Sequence, residues 1–446
     1  MSRPLIIIAS LLLAPPVLHA AASVDPPTSV IFIHPDGTGP AHWSLARVRW
    51  VGPDGFLAWD RLPAMALYRP HVRDCLAPAS HSGGTIHAYG VKVDQDSFGM
   101  DGEVVPMTPA GERASIMRRA IREGRGAGIV NSGSLSEPGT ACFLASVPSR
   151  ALKQEIARQL VESGAQVILG GGEELFLPKG VEGRHGPGVR EDGADLVALA
   201  RERGYRVVFT REELLAVPAE TERLLGLFAR EDTYEDASEE SLARKQRVPY
   251  PEERPRVAEM QQVALSILAR NPKGFLLVVE EEGTDNFSNV HNAAGLLLAL
   301  RRADEAIAVA EAFRAEHPST LVLVAADSDA SSPQLVAAVP DAGIIVEGRP
   351  LSETAGSMKG ILDGIDGTGT LPFVSGPDAA GKTHAFAVAW GTTYDGGDAV
   401  IVRAAGPGSE EVRGLLDNTD LYRIMFRALF GMRPEDARAA ATPAAP

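Results

Sequence analysis

Phe275-Leu276-Leu277-Val278-Val279-Glu280-Glu281-Glu282-Gly283-Thr284-Asp285-Asn286-Phe287-Ser288-Asn289 starts with five apolar residues and then places four carboxylates within six positions. The apolar run reads as a buried strand, and carboxylates gathered at the end of such a strand are costly unless cations neutralise them. A metal site explains the segment better than a solvated run of charge. The pattern recurs: Leu321 to Val324 leads to Ala326-Asp327-Ser328-Asp329, and Ser29 to Ile33 leads to His34-Pro35-Asp36-Gly37-Thr38-Gly39. A fourth run, Gln166 to Leu169, ends in Gly170-Gly171-Gly172. Helical stretches such as Ala151 to Ser163 and Ala293 to His317 lie between these runs. The alternation predicts an α/β fold, a mostly parallel sheet with helices on both faces, whose site sits at the carboxyl ends of the strands.

The wider composition agrees with a large soluble core. Of 446 residues, 45% are hydrophobic and 23% charged, which excludes disordered and fibrous classes. A formal net charge of −15 argues against nucleic-acid binding, which needs clustered Lys and Arg. A phosphate-bearing substrate would instead need metal ions or a few placed arginines. Residues 1–22 read as a signal peptide: Met-Ser-Arg, then the apolar run Leu5 to Leu13, then a small-residue zone with cleavage expected near Ala20 to Ala22. Pro15 and Pro16 break that run, and no later segment has the 18 or so uninterrupted apolar residues a membrane span needs. The mature protein is therefore expected off the membrane, in the periplasm or secreted. Cys75 and Cys142 are the two cysteines, and that compartment would permit pairing without requiring it. Charged, Gly- and Pro-punctuated stretches near 180–260 and 330–385 read as insertions in a core spanning 23–433, and 434–446 as a disordered tail.

Two further segments carry chemistry. Asp36, followed by Gly37 and Gly39, is a carboxylate freed by a tight turn, although alone it also reads as an N-cap. Ala79-Ser80-His81-Ser82-Gly83-Gly84-Thr85 opens a helix, where the N-terminus and a nearby metal would stabilise an alkoxide and an incoming phosphate. Ser80 or Ser82 alone reads equally well as a cap.

Taken in order, the pieces become specific. Asp-Gly-x-Gly at Asp36, Ser80 with Thr85 and Gly90-Val91-Lys92, Val147-Pro148-Ser149-Arg150 and Leu169-Gly170-Gly171-Gly172 come first. Val279-Glu280 with Asp285, Ala326-Asp327, Gly406-Pro407-Gly408 and Asp417-Asn418-Thr419-Asp420 follow. From about Val30 to Phe430 this series resembles the alkaline phosphatase family. The resemblance implies a three-layer sandwich with inserted cap elements, a serine nucleophile, two catalytic metals and a third, magnesium site. It implies Ser80 as nucleophile, Arg150 gripping nonbridging oxygens, and Asp36 bridging two metal sites. Asp285 and Asp327 would each hold a catalytic metal, and Glu280 with Thr140 the magnesium-like site.

The departures concern the histidine ligands. Asn289, Ser328 and Asp395 stand where the family places histidine, and Ala79 replaces an acidic residue before the nucleophile. All three replacements carry oxygen, which suits magnesium, calcium or manganese and points to a changed metal rather than decay. Zinc stays open if His81, His291 or His384 moves in. The expected activity is metal-dependent hydrolysis of a small-molecule phosphate monoester through a phosphoserine. A phosphodiester or sulfate-ester hydrolase on the same scaffold and a non-catalytic, metal-stabilised binding protein are the alternatives. Members of the family are often dimeric, which leaves a homodimer open.

Overall fold

Each of the four apolar runs forms a strand. β1 (Ser29–Pro35), β2 (Ala64–Arg69), β3 (Gly126–Ser134), β4 (Val167–Gly171), β5 (Arg206–Val208), β6 (Leu224–Leu227), β7 (Phe275–Glu281), β8 (Thr320–Val324), β9 (Val400–Ala405) and β10 (Arg413–Asp417) make one ten-stranded sheet. Its order is β10-β2-β9-β8-β1-β7-β3-β4-β6-β5, parallel throughout except where β9 pairs β2 and β8. The computed structural model describes residues 29–339, 343–346, 349–350 and 362–441, so the expected signal peptide at 1–22 lies outside the described residues.

Alternation along the strands builds three layers, because successive side chains point to opposite faces. Val30, Phe32, Leu276, Val278 and Ile129 pack with helices Ser80–Tyr89, Lys153–Glu162 and Asn418–Phe430. Ile31, Ile33, Leu277, Val279 and Val324 pack with helices Pro40–Trp50, Val257–Leu268 and Ala293–Glu316. Each fully buried aliphatic contributes about 1.5–3 kcal/mol. The central strands are apolar on both faces because both faces are covered.

Two expectations need correction. The stretch 180–260 is not only an insertion, since β5 and β6 complete the main sheet. Strands of three and four residues are too short to show a period against a charged background. Residues 330–385 do hold an added element, a small antiparallel sheet that includes Gln334–Val339, Leu362–Gly364 and Phe373–Val374 and closes on Ala385–Ala389. The expected disorder of 434–446 fails for Pro434–Ala441, which is helical with Pro434 and Ala437 buried. Pro434 presets the first turn, Glu435 and Asp436 complement the helix dipole, and the alanines favour helix. Residues 442–446 lie outside the described residues. Cys75 is exposed, Cys142 buried, and both thiols are free. Among the described residues no helix is long and apolar enough to cross a membrane.

Candidate metal centre and active site

Parallel register assembles the floor of the site. β1 and β7 pair His34 with Glu280, and β3 and β7 pair Asn131 with the same Glu280. The apolar rows below are Val30, Leu276, Ala127 and then Phe32, Val278, Ile129, so the polar row caps a hydrophobic stack. His34 Nδ1 lies 2.9 Å from Glu280 Oε1, and Asn131 Nδ2 donates to Glu280 Oε2 and, at 2.9 Å, to Thr140 Oγ1. A Cβ on Gly139 would collide with Glu280 Oε1 and His34 Nδ1, which is why only glycine fits there.

Beyond the strand ends, the carboxylates named from sequence converge. Asp36 and Glu280 are fully buried, Asp327 is 2% exposed and Asp285 7%. His34, Asp36 and Glu280 offer ligand atoms within 4.8 Å of one another, as do Asp36, Glu282 and Asp285, so Asp36 is common to two clusters. Asn289 donates to Asp285 Oδ2 at 2.9 Å. Pairing of Asp395–Gly396 with Asp329–Ala330 brings Asp395 beside Asp285, Asn289 and Ser328. Gly37, at φ +63°, turns the chain beside Asp285 where a Cβ would stand 2.7 Å from Oδ1.

These groups fit divalent cations. Both oxygens of Asp36 and of Asp327, Asp285 Oδ1, Asp395 Oδ1 and Ser328 Oγ are buried without a hydrogen-bond partner. Burial, reinforced by Asp36, pushes the Asp327 carboxyl well above the usual range, and burial with Asp395 does the same to Asp285. So many unpaired buried oxygens need positive charge among them. The donor set at Asp285, Asp395 and Ser328 is entirely oxygen, the chemistry of a hard cation, whereas Asn289 turns its amide N–H to Asp285 and its Oδ1 accepts from Ser331 Oγ at 2.9 Å.

Ser80 is the first residue of helix Ser80–Tyr89. Ser82 performs the capping, accepting from Ala79 N at 3.1 Å and donating to Ala79 O at 2.8 Å, which resolves the ambiguity between the two serines. Gly83, one turn on, is pressed against the Asp327 side chain, so the helix start abuts the carboxylate cluster. Arg150 is at the exposed rim, its Nη2 3.0 Å from Glu137 Oε2, with Lys153 Nζ 3.7 Å from the other oxygen. Burial and then the charge of Arg150 pull His81 down to about 4, keeping the ring beside Ser80 neutral near pH 7.

Sequence reasoning left three contributors unassigned: His34, Asn131 and Glu282. Asn131 and Glu282 follow from the register and from the extra carboxylate after β7, whereas His34 was visible only as part of the Asp36 motif. Of the histidines considered as substitutes, His291 stacks on Trp390 and bonds Thr392 O at 2.7 Å, and His384 bonds Asp378 at 3.0 Å. Both are engaged away from the carboxylates.

Comparison with known proteins shows the family and the fold. The model of the family described as alkaline phosphatase matches residues 28–430. Alkaline phosphatase H of Pseudomonas aeruginosa is 27% identical over 440 residues, covering 90% of this chain and 85% of that protein. The crystal structure of Thermus thermophilus alkaline phosphatase superposes with a TM-score of 0.70 at 23% identity, over 96% of this chain and 98% of that one. A variant of the alkaline phosphatase from the Antarctic bacterium TAB5, with Mg bound in its M3 site, superposes at 0.67 and 21% identity, over 91% and 98%.

Proposed function

The chain belongs to the alkaline phosphatase family and is a phosphoric-ester hydrolase, and from that premise we propose that it cleaves phosphate monoesters through a phosphoserine formed on Ser80. The observation that carries this reading is Ser80 at the start of a helix that abuts buried carboxylates lacking partners. Divalent cations held by Asp36 and Asp327 on one side, and by Asp285, Asp395 and Ser328 on the other, with Asn289 bonded to Asp285, would supply Lewis acidity and a lowered hydroxyl pKa. Magnesium suits the all-oxygen set best, with calcium, manganese or zinc as alternatives, while Glu280 and Thr140, the pair the resemblance implies for a third ion, are bonded to His34 and Asn131.

Ser80 Oγ attacks phosphorus in line with the leaving oxygen; the new bond is Oγ–P, the bond broken is P–O to the alcohol, and the alcohol leaves with a proton. Water then cleaves the phosphoserine, releasing inorganic phosphate and restoring the hydroxyl. The helix N-terminus favours the anionic phosphoryl group. Arg150 exchanges Glu137 for two nonbridging oxygens, a fork that its planar guanidinium matches. Family membership and the leader-like pattern before Ser29 support a periplasmic or secreted site of action.

Rapid-quench assay of p-nitrophenyl phosphate tests the nucleophile. Wild-type protein is expected to give a phosphoenzyme burst, and Ser80→Ala to lose it together with roughly 10³-fold or more of kcat/KM. Undiminished turnover by Ser80→Ala would remove Ser80 from the mechanism. Preference for diesters or sulfate esters in a chromogenic panel would change the substrate class.

A further inference from the structure

His34 occupies a place that no expected role explains. The ring is completely buried, and its Nε2 has no hydrogen-bond partner. That nitrogen faces two carboxylate oxygens, Asp36 Oδ1 at 3.8 Å and Asp327 Oδ1 at 3.9 Å, both of which also lack hydrogen-bond partners. Two donors each about 2.0–2.2 Å from one ion stand at most about 4.4 Å apart, so Nε2 lies within shared-ion distance of each of the two oxygens.

The other side of the ring is already arranged for that task. Nδ1 meets Glu280 Oε1 at 2.9 Å, and Asn131 holds the second oxygen of Glu280. A histidine that binds metal through one nitrogen usually donates the other N–H to a carboxylate, which fixes tautomer and ring plane. The ring of His87 packs edge-on against His34, centroids 5.6 Å apart, and Gly139 leaves room for the His34–Glu280 contact. The His34–Glu280–Asn131 contacts follow from register, since the three form one cross-strand row.

We propose that His34 Nε2 is a ligand of the cation held by Asp36 and Asp327, with Glu280 orienting the ring. The nitrogen absent from Ser328 is thus supplied from two residues before Asp36. The two metal positions then differ in chemistry. The His34–Asp36–Asp327 position, with nitrogen and oxygen donors, takes a borderline ion such as zinc, cobalt or manganese, and the all-oxygen position around Asp285 takes a harder one. The inference rests on the metal centre of the proposed function but not on turnover.

X-ray absorption at the zinc edge of Zn²⁺-loaded full-length protein tests it, read alongside Zn²⁺ affinity. Wild type is expected to show imidazole scattering. His34→Asn, which keeps a donor toward Glu280 and removes Nε2, is expected to lose that scattering and more than the roughly 10- to 100-fold of affinity that loss of an outer partner costs. Glu280→Gln should lose affinity within that range and keep the scattering. Absence of imidazole scattering in wild type, or its persistence in His34→Asn through another ring such as His87, would overturn the proposal. If the variants do not fold, the zinc-loaded crystal structure of wild type decides: Nε2 about 2.0–2.1 Å from zinc supports ligation, and a zinc out of bonding range of Nε2 overturns it. Intact ligation without any ester hydrolysis would instead count against the proposed function alone.

Discussion

Arg150 meets Glu137 at 3.0 Å while remaining close to half exposed, so its guanidinium is held at the rim by a weak, solvent-screened pair. A phosphoryl group can displace Glu137 at small cost and gains two charged hydrogen bonds. Arg150→Ala is expected to raise KM for a phosphate monoester about 10- to 100-fold, from the roughly 1.5–3 kcal/mol of such a bond. Arg150→Lys should recover part of that loss at most, because a point charge cannot grip two oxygens in one plane. Steady-state kinetics of the two variants checks this. Asp36, Asp285 and Asp327 were legible in the sequence because each follows an apolar strand. Ser80 and Ser82 were not separable there, since both stand in the same small-residue turn and only the hydrogen bonds of Ser82 show which one caps. His34 was hidden for another reason: its meaning depends on Glu280, 246 residues away, and on the register that sets them side by side.

The long helix Ala293–Glu316 has its own electrostatic feature, separate from the metal centre. Its first N–H groups are satisfied by Asn292, by Asp363 at Ala293 N and by Glu239 at Ala294 N. Carboxylates belong at a helix N-terminus, yet burial and the nearby Asp363 push Glu239 up to about 8. The folded protein therefore keeps a proton that the unfolded chain releases near pH 4–5. Stability from this group is full below that range and is lost as pH rises to about 8. Glu239→Gln should remove roughly 2 kcal/mol of that pH dependence, allowing for solvent screening, in urea unfolding followed between about pH 5 and pH 9. At this scale the long central strands and helices could be read directly, because their apolar periods run over many residues. β5, β6 and helix Pro434–Ala441 could not, since three strand residues carry no period and an Ala/Pro-rich ending reads as tail whether or not it docks.

For the molecule as a whole, a net charge of −15 and buried carboxylates without partners lead to the expectation that divalent cations contribute to its stability. Cations that bind only the folded state stabilise it by about 4 kcal/mol at a thousandfold excess over Kd. Chelation is therefore expected to lower the unfolding temperature by several degrees, and re-addition of divalent metal to restore it, in differential scanning calorimetry. The family could be recognised in the sequence because the order of short motifs survives from Val30 to Phe430. The metal centre could not be completed from it, because His34 Nε2 comes to face Asp36 and Asp327 only through the register of β1 with β7 and β8.

The geometry and the family together predict metal-dependent hydrolysis of phosphate esters at the Asp36–Asp327–Asp285 centre beside Ser80. Elemental analysis of purified protein, coupled to p-nitrophenyl phosphate turnover after chelation and stepwise return of magnesium, manganese, calcium or zinc, tests it most directly. The expected result is loss of turnover with loss of metal and recovery with a divalent cation. Full turnover in metal-free protein, or metal-loaded protein that hydrolyses no ester, would contradict it.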